Sequence, residues 1–383
     1  MANGKPENLR ELIEQGYAYP ALLPEKNDYI LSEEGRKYRK NLKEEDKLDS
    51  TLRERLFLIN LDRLDSLVGY TVPLISHDYG AKTPLMWNAL YEKLGLKIRN
   101  IMLVADPENA EFIFNTFRND PKYLGGGLGV GFKEKGRYLD RVVPADLKAA
   151  NIVVKDGKEL VGYNTDAQGF ISSLEDNFRE IGKIVEGSNI IIFGAGGVAK
   201  EVARLIASKK ASRITILNRT YSKAVSLAYE LNEKYGQIAL GAGEEIIRGY
   251  LLNSFMPPDA AINLTDKGSD GPLEEYSAFA AAEKGGYNQN ISRTIARELK
   301  RLNPKIIIAD IVLPKKGRSI TLRIAENEGL ENLLDGVPMV INQAAPAYRL
   351  VQDANPELHV KKVSEEEALE VFRKATKLKQ NKP

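Results

Sequence analysis

The sequence predicts an α/β protein in two parts, and three observations carry that expectation. Strand-like apolar runs alternate with helix-spaced runs from about Ser66 onward, which points to parallel sheets with helices on both faces. The same rhythm occurs twice, and the second block opens on a glycine turn, Gly194 to Gly197, between a strand and a helix. The length, 383 residues, suits two domains with room for an extra segment.

Residues 1–65 stand apart from this rhythm and are read as a charged helical extension. "LSEEGRKYRKNLKEEDKLDSTLRERLFLINLDRL" is dense in both signs of charge. Its later part, Leu52 to Leu67, has apolar residues near helical spacing and predicts one or two surface helices after a solvated stretch. Then "SLVGYTVPLIS" predicts a strand, and "TPLMWNALYEKLG" a helix stopped at Gly95. "RNIMLVAD" reads as a strand, "PENAEFIFNTFRND" as a helix and "LGVGF" as a short strand. "NIVVKDGKELVGYNTD" reads as a hairpin turned at Asp156-Gly157, and "AQGFISSLEDNFREI" as a helix.

In the second block "SNIIIFG" and "SRITILN" predict strands, each followed by a helix, "GVAKEVARLIASKK" and "SKAVSLAYELNEKYG". "DAAINLT" and "KIIIADIVL" are further short apolar runs. The stretch from Pro257 to Asn290 is turn-rich and reads as loops. The last part, from Met339, reads as two helices and a frayed tail.

The composition excludes several kinds of chemistry. There is no cysteine, so disulfides, thiolate catalysis and cysteine-bound zinc are ruled out, and a reducing cytoplasm is the expected setting. Only two histidines exist, His77 and His359, too few for a histidine-built metal centre, and no metal is expected. Lys and Arg total 55 against 53 Asp and Glu, a balance that gives no reason to expect nucleic acid or an acidic membrane surface. "MANGKPENLRELIEQ" has no apolar core of a secretory signal, and no apolar run is long enough to span a bilayer. The expected partner is a small-molecule substrate, with a homodimer left open.

The glycine turn carries the most chemistry. Gly194, Ala195, Gly196, Gly197, Val198 and Ala199 follow an apolar strand and open a helix, in the G-x-G-x-x-A form of a dinucleotide-binding, Rossmann-type turn. Gly194 permits the tight turn, Gly196 lets backbone approach a pyrophosphate, and Ala199 is small enough for close helix–strand packing. The helix N-terminus offers unpaired N–H groups to the phosphates. At the end of the next strand, where an acid would hold an unphosphorylated ribose, stand Asn218 and Arg219, with Thr220, Ser222 and Lys223 close by. A guanidinium there attracts a 2′-phosphate, so NADP(H) is expected over NAD(H). The polar trio Asn164, Thr165 and Asp166 sits between a strand and a helix. It reads as a turn and an N-cap for a helix beginning near Ala167, or as a reaction site.

"GYNTDAQGF", "GAGGVAKEV", "NRTYSKA", "INLTDKG" and "DGVPMVINQAAPAYRL" together resemble the shikimate dehydrogenase family, in the family's order, over roughly residues 66–375. The resemblance implies a two-lobed α/β fold with a substrate domain, a Rossmann NADP-binding domain, and C-terminal helices that return to the substrate domain. It divides the chain at 66–175, 176–337 and 338–383. It implies hydride transfer between NADPH and the ring carbonyl of 3-dehydroshikimate or a related cyclic hydroxy acid, in the chorismate route to aromatic amino acids. The implied catalytic pair is Lys135, in "GLGVGFKEK", with Lys133 as the near alternative, and Asp166. Such an ammonium stabilises charge on a carbonyl oxygen and supplies its proton. The implied substrate contacts are Ser76, Thr83, Asn151 and Gln343, whose hydroxyls and amides suit a polyhydroxylated ring.

The chain departs from the family's pattern at several points. The paired serines before a proline become "SHDYGAKTP", which keeps Ser76 and Thr83 but adds Asp78 and Lys82. The "N-V-T" of the lysine motif becomes Gly129-Val130-Gly131, its proline becomes Lys133, and a late aromatic becomes Leu313. These changes leave two alternatives open: the same fold and cofactor with another cyclic substrate, or a catalytically silent sensor of NADP(H) or a shikimate-like ligand.

Overall fold

The structure, a computed structural model, describes residues 18–20, 29–31, 69–76, 83–105, 107–252, 256–281, 285–314, 317–359 and 361–380. The helices expected within residues 52–67 lie outside the described residues. The chain forms two compact units, one from the described residues up to Asn164 together with those from Ala347 on, the other Thr165–Pro346.

In the first unit, β1 (Ala18–Pro20) and β2 (Tyr29–Leu31) pair antiparallel, in a region read from sequence as solvated. The single strand expected at 66–76 is two, β3 (Tyr70–Thr71) and β4 (Leu74–Ser76). Pro73 lies between them and has no N–H to give a ladder. Helix α1 (Thr83–Leu94) stops at Gly95, which takes φ +67°, the left-handed conformation glycine adopts without strain. After β5 (Ile98–Arg99) and β6 (Met102–Val104), α2 (Ala110–Asn119) buries Ala110, Ile113, Phe114 and Phe117, one face at helical spacing.

The next strand, β7, is Gly125–Leu128, three residues before the expected "LGVGF". Sequence propensity disfavours three consecutive glycines in a strand. Packing selects them: a Cβ on Gly126 would lie 1.9 Å from the Pro73 carbonyl oxygen, and one on Gly125 2.5 Å from that of Val153. β8 (Arg141–Val143), β9 (Ile152–Asp156) and β10 (Glu159–Tyr163) complete a six-stranded sheet in the order β6-β4-β7-β9-β10-β8. It is mixed, since β9 runs antiparallel to both β7 and β10, as the expected hairpin requires.

The second unit opens with α3 (Asp166–Glu180), then β11 (Asn189–Phe193), α4 (Gly197–Ser208), β12 (Arg213–Asn218) and α5 (Tyr221–Tyr235), each close to its predicted place. β13 (Ala239–Gly243), α6 (Ile247–Leu252) and β14 (Ala260–Asn263) follow. The region read as loops gives way to helix α7 (Gly285–Leu302), and then come β15 (Ile307–Asp310), α8 (Ile320–Asn327), β16 (Leu333–Leu334) and α9 (Val337–Asn342). All six strands are parallel, in the order β13-β12-β11-β14-β15-β16.

That order makes β11 and β14 the pair at which the chain reverses direction across the sheet, and the crevice beyond their carboxyl ends is where such sheets bind ligands. The uninterrupted apolar run of β11 has a simple cause. Ile190 and Ile192 pack in the core on one face, and Ile191 and Phe193 in the core on the other. Each fully buried side chain of this kind contributes about 1.5–3 kcal/mol.

The C-terminal part holds α10 (Ala344–Ala354) and α11 (Glu365–Gln380), so with α9 there are three helices where two were expected. From Ala347 the chain belongs to the first unit. Tyr348 packs 5.5 Å from Trp87 and 5.8 Å from Tyr91 on α1, and Phe372 of α11 closes on the same ring at 6.4 Å. Each such aromatic pair adds about 0.5–1.5 kcal/mol beyond its burial. Among the described residues no helix is long and apolar enough to cross a membrane.

Candidate active site

The residues singled out from the sequence fall into three groups, one in the first unit and two in the second. In the first unit Ser76 ends β4 and is 3% exposed. The loop after β7 crosses directly over it: the Gly129 N–H donates to the Ile75 carbonyl at 2.7 Å, and a Cβ on Gly129 would lie 2.6 Å from the Ser76 hydroxyl oxygen. The glycine that replaces an amide side chain in the lysine motif therefore has a steric cause. Gly131 takes φ +83°, and successive turns follow, with Phe132 N–H on the Gly129 carbonyl and Lys135 N–H on that of Phe132.

The Lys133 carbonyl accepts from Ala150 N–H at 2.8 Å, which ties this loop to the residue before Asn151. Asn151, 8% exposed, accepts Leu128 N–H on its own carbonyl. Ser76, the lysine loop and Asn151 are thus brought together at one end of the sheet. Both lysines are half-buried, and within this unit, among the described residues, no carboxylate pairs with the Lys135 ammonium. Thr83 opens α1 and is buried. Asp78 and Lys82, the additions to the serine motif, lie outside the described residues.

The second group answers the question of the polar trio. The helix begins at Asp166 itself, so Asp166 is its first residue and not the cap expected from sequence. Thr165 occupies the cap position without a side-chain capping bond, and its hydroxyl instead donates to the Gln343 amide oxygen at 3.0 Å. The Gln343 amide nitrogen donates to the Val340 carbonyl. A Cβ on Gly169 would lie 2.5 Å from both the backbone nitrogen and the Cβ of Gln343, so only glycine lets α3 and the end of α9 approach this closely. The 3.0 Å bond joins Thr165, 2% exposed, to Gln343, and Asp166, next to Thr165 in the chain, is also buried at 8% exposure. Asn164, last residue of the first unit, donates to the Ala149 carbonyl.

The third group is a cavity of about 290 Å³ at the β11–β14 switch point. Gly194, Ala195 and Gly196 form one wall, and Asn218, Arg219, Thr220 and Lys223 another. Gly194 takes φ +116° with its missing Cβ 2.8 Å from the Leu264 carbonyl oxygen, so the tight turn depends on glycine. A Cβ on Gly196 would meet nothing within 4 Å, which leaves its backbone open to an approaching ligand. The first α4 amide held by a neighbouring carbonyl is that of Lys200, bonded to the Gly196 oxygen, so the amides of Gly197, Val198 and Ala199 precede the intrahelical ladder. Ala199 is fully buried, as close packing of α4 requires.

Asn218 links the two walls. Its amide oxygen accepts Ala195 N–H at 3.2 Å and its amide nitrogen donates to the Thr220 carbonyl at 2.9 Å. Arg219 and Lys223 are exposed and face the cavity, with no ion pair among the described residues of this unit. The donor set, open backbone amides beside two uncommitted cations, suits a dinucleotide that carries an extra phosphate.

The remaining wall is Glu244 with Leu264 to Lys267 and Leu273, residues to which the sequence reading gives no role, and Asn263 and Asp310 brace it from behind. Asn263, at the end of β14, accepts from Thr265 N–H and hydroxyl and donates to the Lys267 carbonyl and to Asp310. Asp310 is buried and accepts also from Val312 N–H and the Ser319 hydroxyl. Burial pushes its carboxyl up to about 6, against the pull of these donors. Lys267 and Glu244 line the same cavity as a buried ion pair at 2.6 Å.

Comparison with known proteins agrees with this architecture. Residues 178–250 match a family model described as shikimate/quinate 5-dehydrogenase. The chain is 29% identical over 323 residues to a shikimate dehydrogenase (NADP(+)) of Halothermothrix orenii, covering 80% of this chain and 96% of that protein. It is 30% identical over 233 residues to one of Alkaliphilus oremlandii, covering 60% of this chain and 73% of the relative. A crystal structure of shikimate dehydrogenase in complex with NADP+ superposes with a TM-score of 0.59 at 25% identity, covering 82% of this chain and 96% of the other.

Proposed function

Because the chain belongs to the shikimate dehydrogenase family, we propose that it interconverts 3-dehydroshikimate, or a closely related cyclic keto acid, and the corresponding alcohol. It is an NADP(H)-dependent oxidoreductase of the shikimate dehydrogenase type. The observation that carries the cofactor is the switch-point cavity, where a glycine turn with open amides faces Arg219 and Lys223 and no acid stands at position 218. Gly194 to Ala199 would hold the pyrophosphate, and Arg219, Thr220 and Lys223 the 2′-phosphate, with Asn218 fixing the two walls. NADPH, when bound, supplies the hydride.

The remaining chemistry falls to this chain's own side chains. Lys135 is assigned the ammonium that stabilises the developing alkoxide and delivers the proton to it. Asp166 is assigned the second catalytic role, as the carboxylate that accepts a hydrogen bond from a substrate hydroxyl. Ser76, Thr83, Asn151 and Gln343 are assigned the substrate's carboxylate and hydroxyls. In this division residues 66–175 hold the substrate, 176–337 the cofactor, and 338–383 buttress the substrate part. A cytoplasmic location belongs to the same reading, since a chain without cysteine suits a reducing compartment. So does a homodimer, which light scattering checks.

The substituted lysine motif favours keeping a second substrate in view, because Gly129 and Gly131 offer no side chain to a ring hydroxyl. The deciding experiment follows the absorbance of the reduced nicotinamide with shikimate, quinate and other cyclic hydroxy acids, each with NADP+ and NAD+. Turnover fastest with shikimate and NADP+ is expected. Turnover only with another acid moves the assignment to that substrate. Tight NADPH binding without any turnover overturns the enzyme reading in favour of a sensor.

A further inference from the structure

We infer that Lys267 sets the coenzyme preference by cancelling the Glu244 carboxylate in the wall of the cofactor cavity. The inference rests on the NADP(H) reading above and goes beyond it, because neither residue belongs to the glycine turn or to the Arg219 loop.

The register of the sheet puts the difficulty on view. Asn218 on β12 is the direct parallel partner of Gly243 on β13, so the next residues along each strand, Arg219 and Glu244, emerge side by side from the sheet's carboxyl edge. The sequence avoids an acid at the end of β12, yet Glu244 returns one to the same cavity from the neighbouring strand. Left alone, that carboxylate would repel a 2′-phosphate. It would also draw the Arg219 guanidinium away from the ligand, and its oxygens could accept the hydroxyls of an unphosphorylated ribose.

Lys267 removes the conflict. It reaches from the loop after β14, and its ammonium donates to Glu244 Oε2 at 2.6 Å and to the Ala280 carbonyl at 2.7 Å. Both side chains are almost fully buried, at 6% and 8% exposure, so their attraction is little screened by solvent. Burial pulls the Lys267 ammonium below its ordinary value and the nearby Arg219 pushes in the same direction, while Glu244 holds the charge on. Arg219 lines the same cavity as the pair, one residue beyond the Asn218–Gly243 register match. With Glu244 committed to Lys267, Arg219 and Lys223 stay available to an anion. Lys267 is thus a positioning residue: it acts on the phosphate through Glu244 and Arg219.

The test uses the full chain and equilibrium binding of NADPH and NADH, with adenosine 2′,5′-bisphosphate against AMP as a second pair of probes. Lys267→Met keeps the apolar stem and removes the charge. It is expected to lower the preference for the 2′-phosphorylated ligand by about tenfold or more, chiefly by weakening that ligand. Combining it with Glu244→Gln is expected to restore most of the preference, which a merely structural role for Lys267 would not do. An unchanged preference in Lys267→Met, or equal losses for both ligands that the double variant does not recover, overturns the inference. Should Lys267→Met fail to fold, Glu244→Gln alone decides: NADPH gains on NADH if the inference holds, and no gain sinks it. A wild-type protein without NADPH preference would instead refute the cofactor reading itself.

Discussion

Gly169→Ala tests the link between the fold and the proposed substrate site. Gly169 lies within α3 and its φ is not in the left-handed region, so helix propensity alone favours alanine by about 0.5–1 kcal/mol. Packing opposes this. The added methyl would stand 2.5 Å from the Gln343 backbone nitrogen and 2.7 Å from its Cα, and backbone cannot swing aside as a side-chain tip can. Such overpacking costs about 1–3 kcal/mol. Moving Gln343 away also endangers its 3.0 Å bond with Thr165, worth about 0.5–1.5 kcal/mol. The steric effect should win, with net destabilisation of about 1–3 kcal/mol. A displacement near 1 Å at Gln343 should lower kcat/KM for the cyclic substrate by about 100-fold. NADPH affinity should change little, because the cofactor cavity draws no wall from α3 or α9. Urea unfolding and steady-state kinetics at saturating NADPH measure both effects. A variant more stable than wild type, with unaltered kcat/KM, would refute the close approach of α3 to Gln343.

Two further outcomes are expected. Lys135→Ala should lower kcat by about 100-fold or more with NADPH affinity retained; if Lys133→Ala has that effect instead, the proton donor is two residues earlier. Asp310 should make stability depend on acidity: its folded value, raised from 3.8 to about 6, means that the stabilisation of its protonated form is full below 3.8 and is lost as pH rises through about 6. That span corresponds to about 3 kcal/mol. The stability difference between wild type and Asp310→Asn should therefore shrink by about this amount between pH 4 and pH 7 in denaturant titrations. A difference flat across that interval would contradict a buried, raised carboxyl.

The parts of this protein readable from sequence are those governed by neighbours along the chain. The β11 run and the glycine turn follow from local rules, because burial on both faces of a parallel strand leaves an apolar run and a phosphate-binding turn requires Gly194 at φ +116°. Helical spacing located α1 to α5 for the same reason. Sequence also placed Asn218 and Arg219 at a cofactor wall, since they end the strand after the turn.

Tertiary structure decided what depends on approach between distant segments. Gly125 and Gly126 sit in a strand against their propensity because the Val153 and Pro73 carbonyl oxygens press too closely for a Cβ at either position. Thr165 meets Gln343 across 178 positions, and Lys267 meets Glu244 across 23, although neither pair has a spacing that marks it. Periodicity reports which face of an element is buried. Which carboxylate a buried ammonium will find depends on strand order and register, and only the assembled sheet, with Asn218 beside Gly243, specifies that.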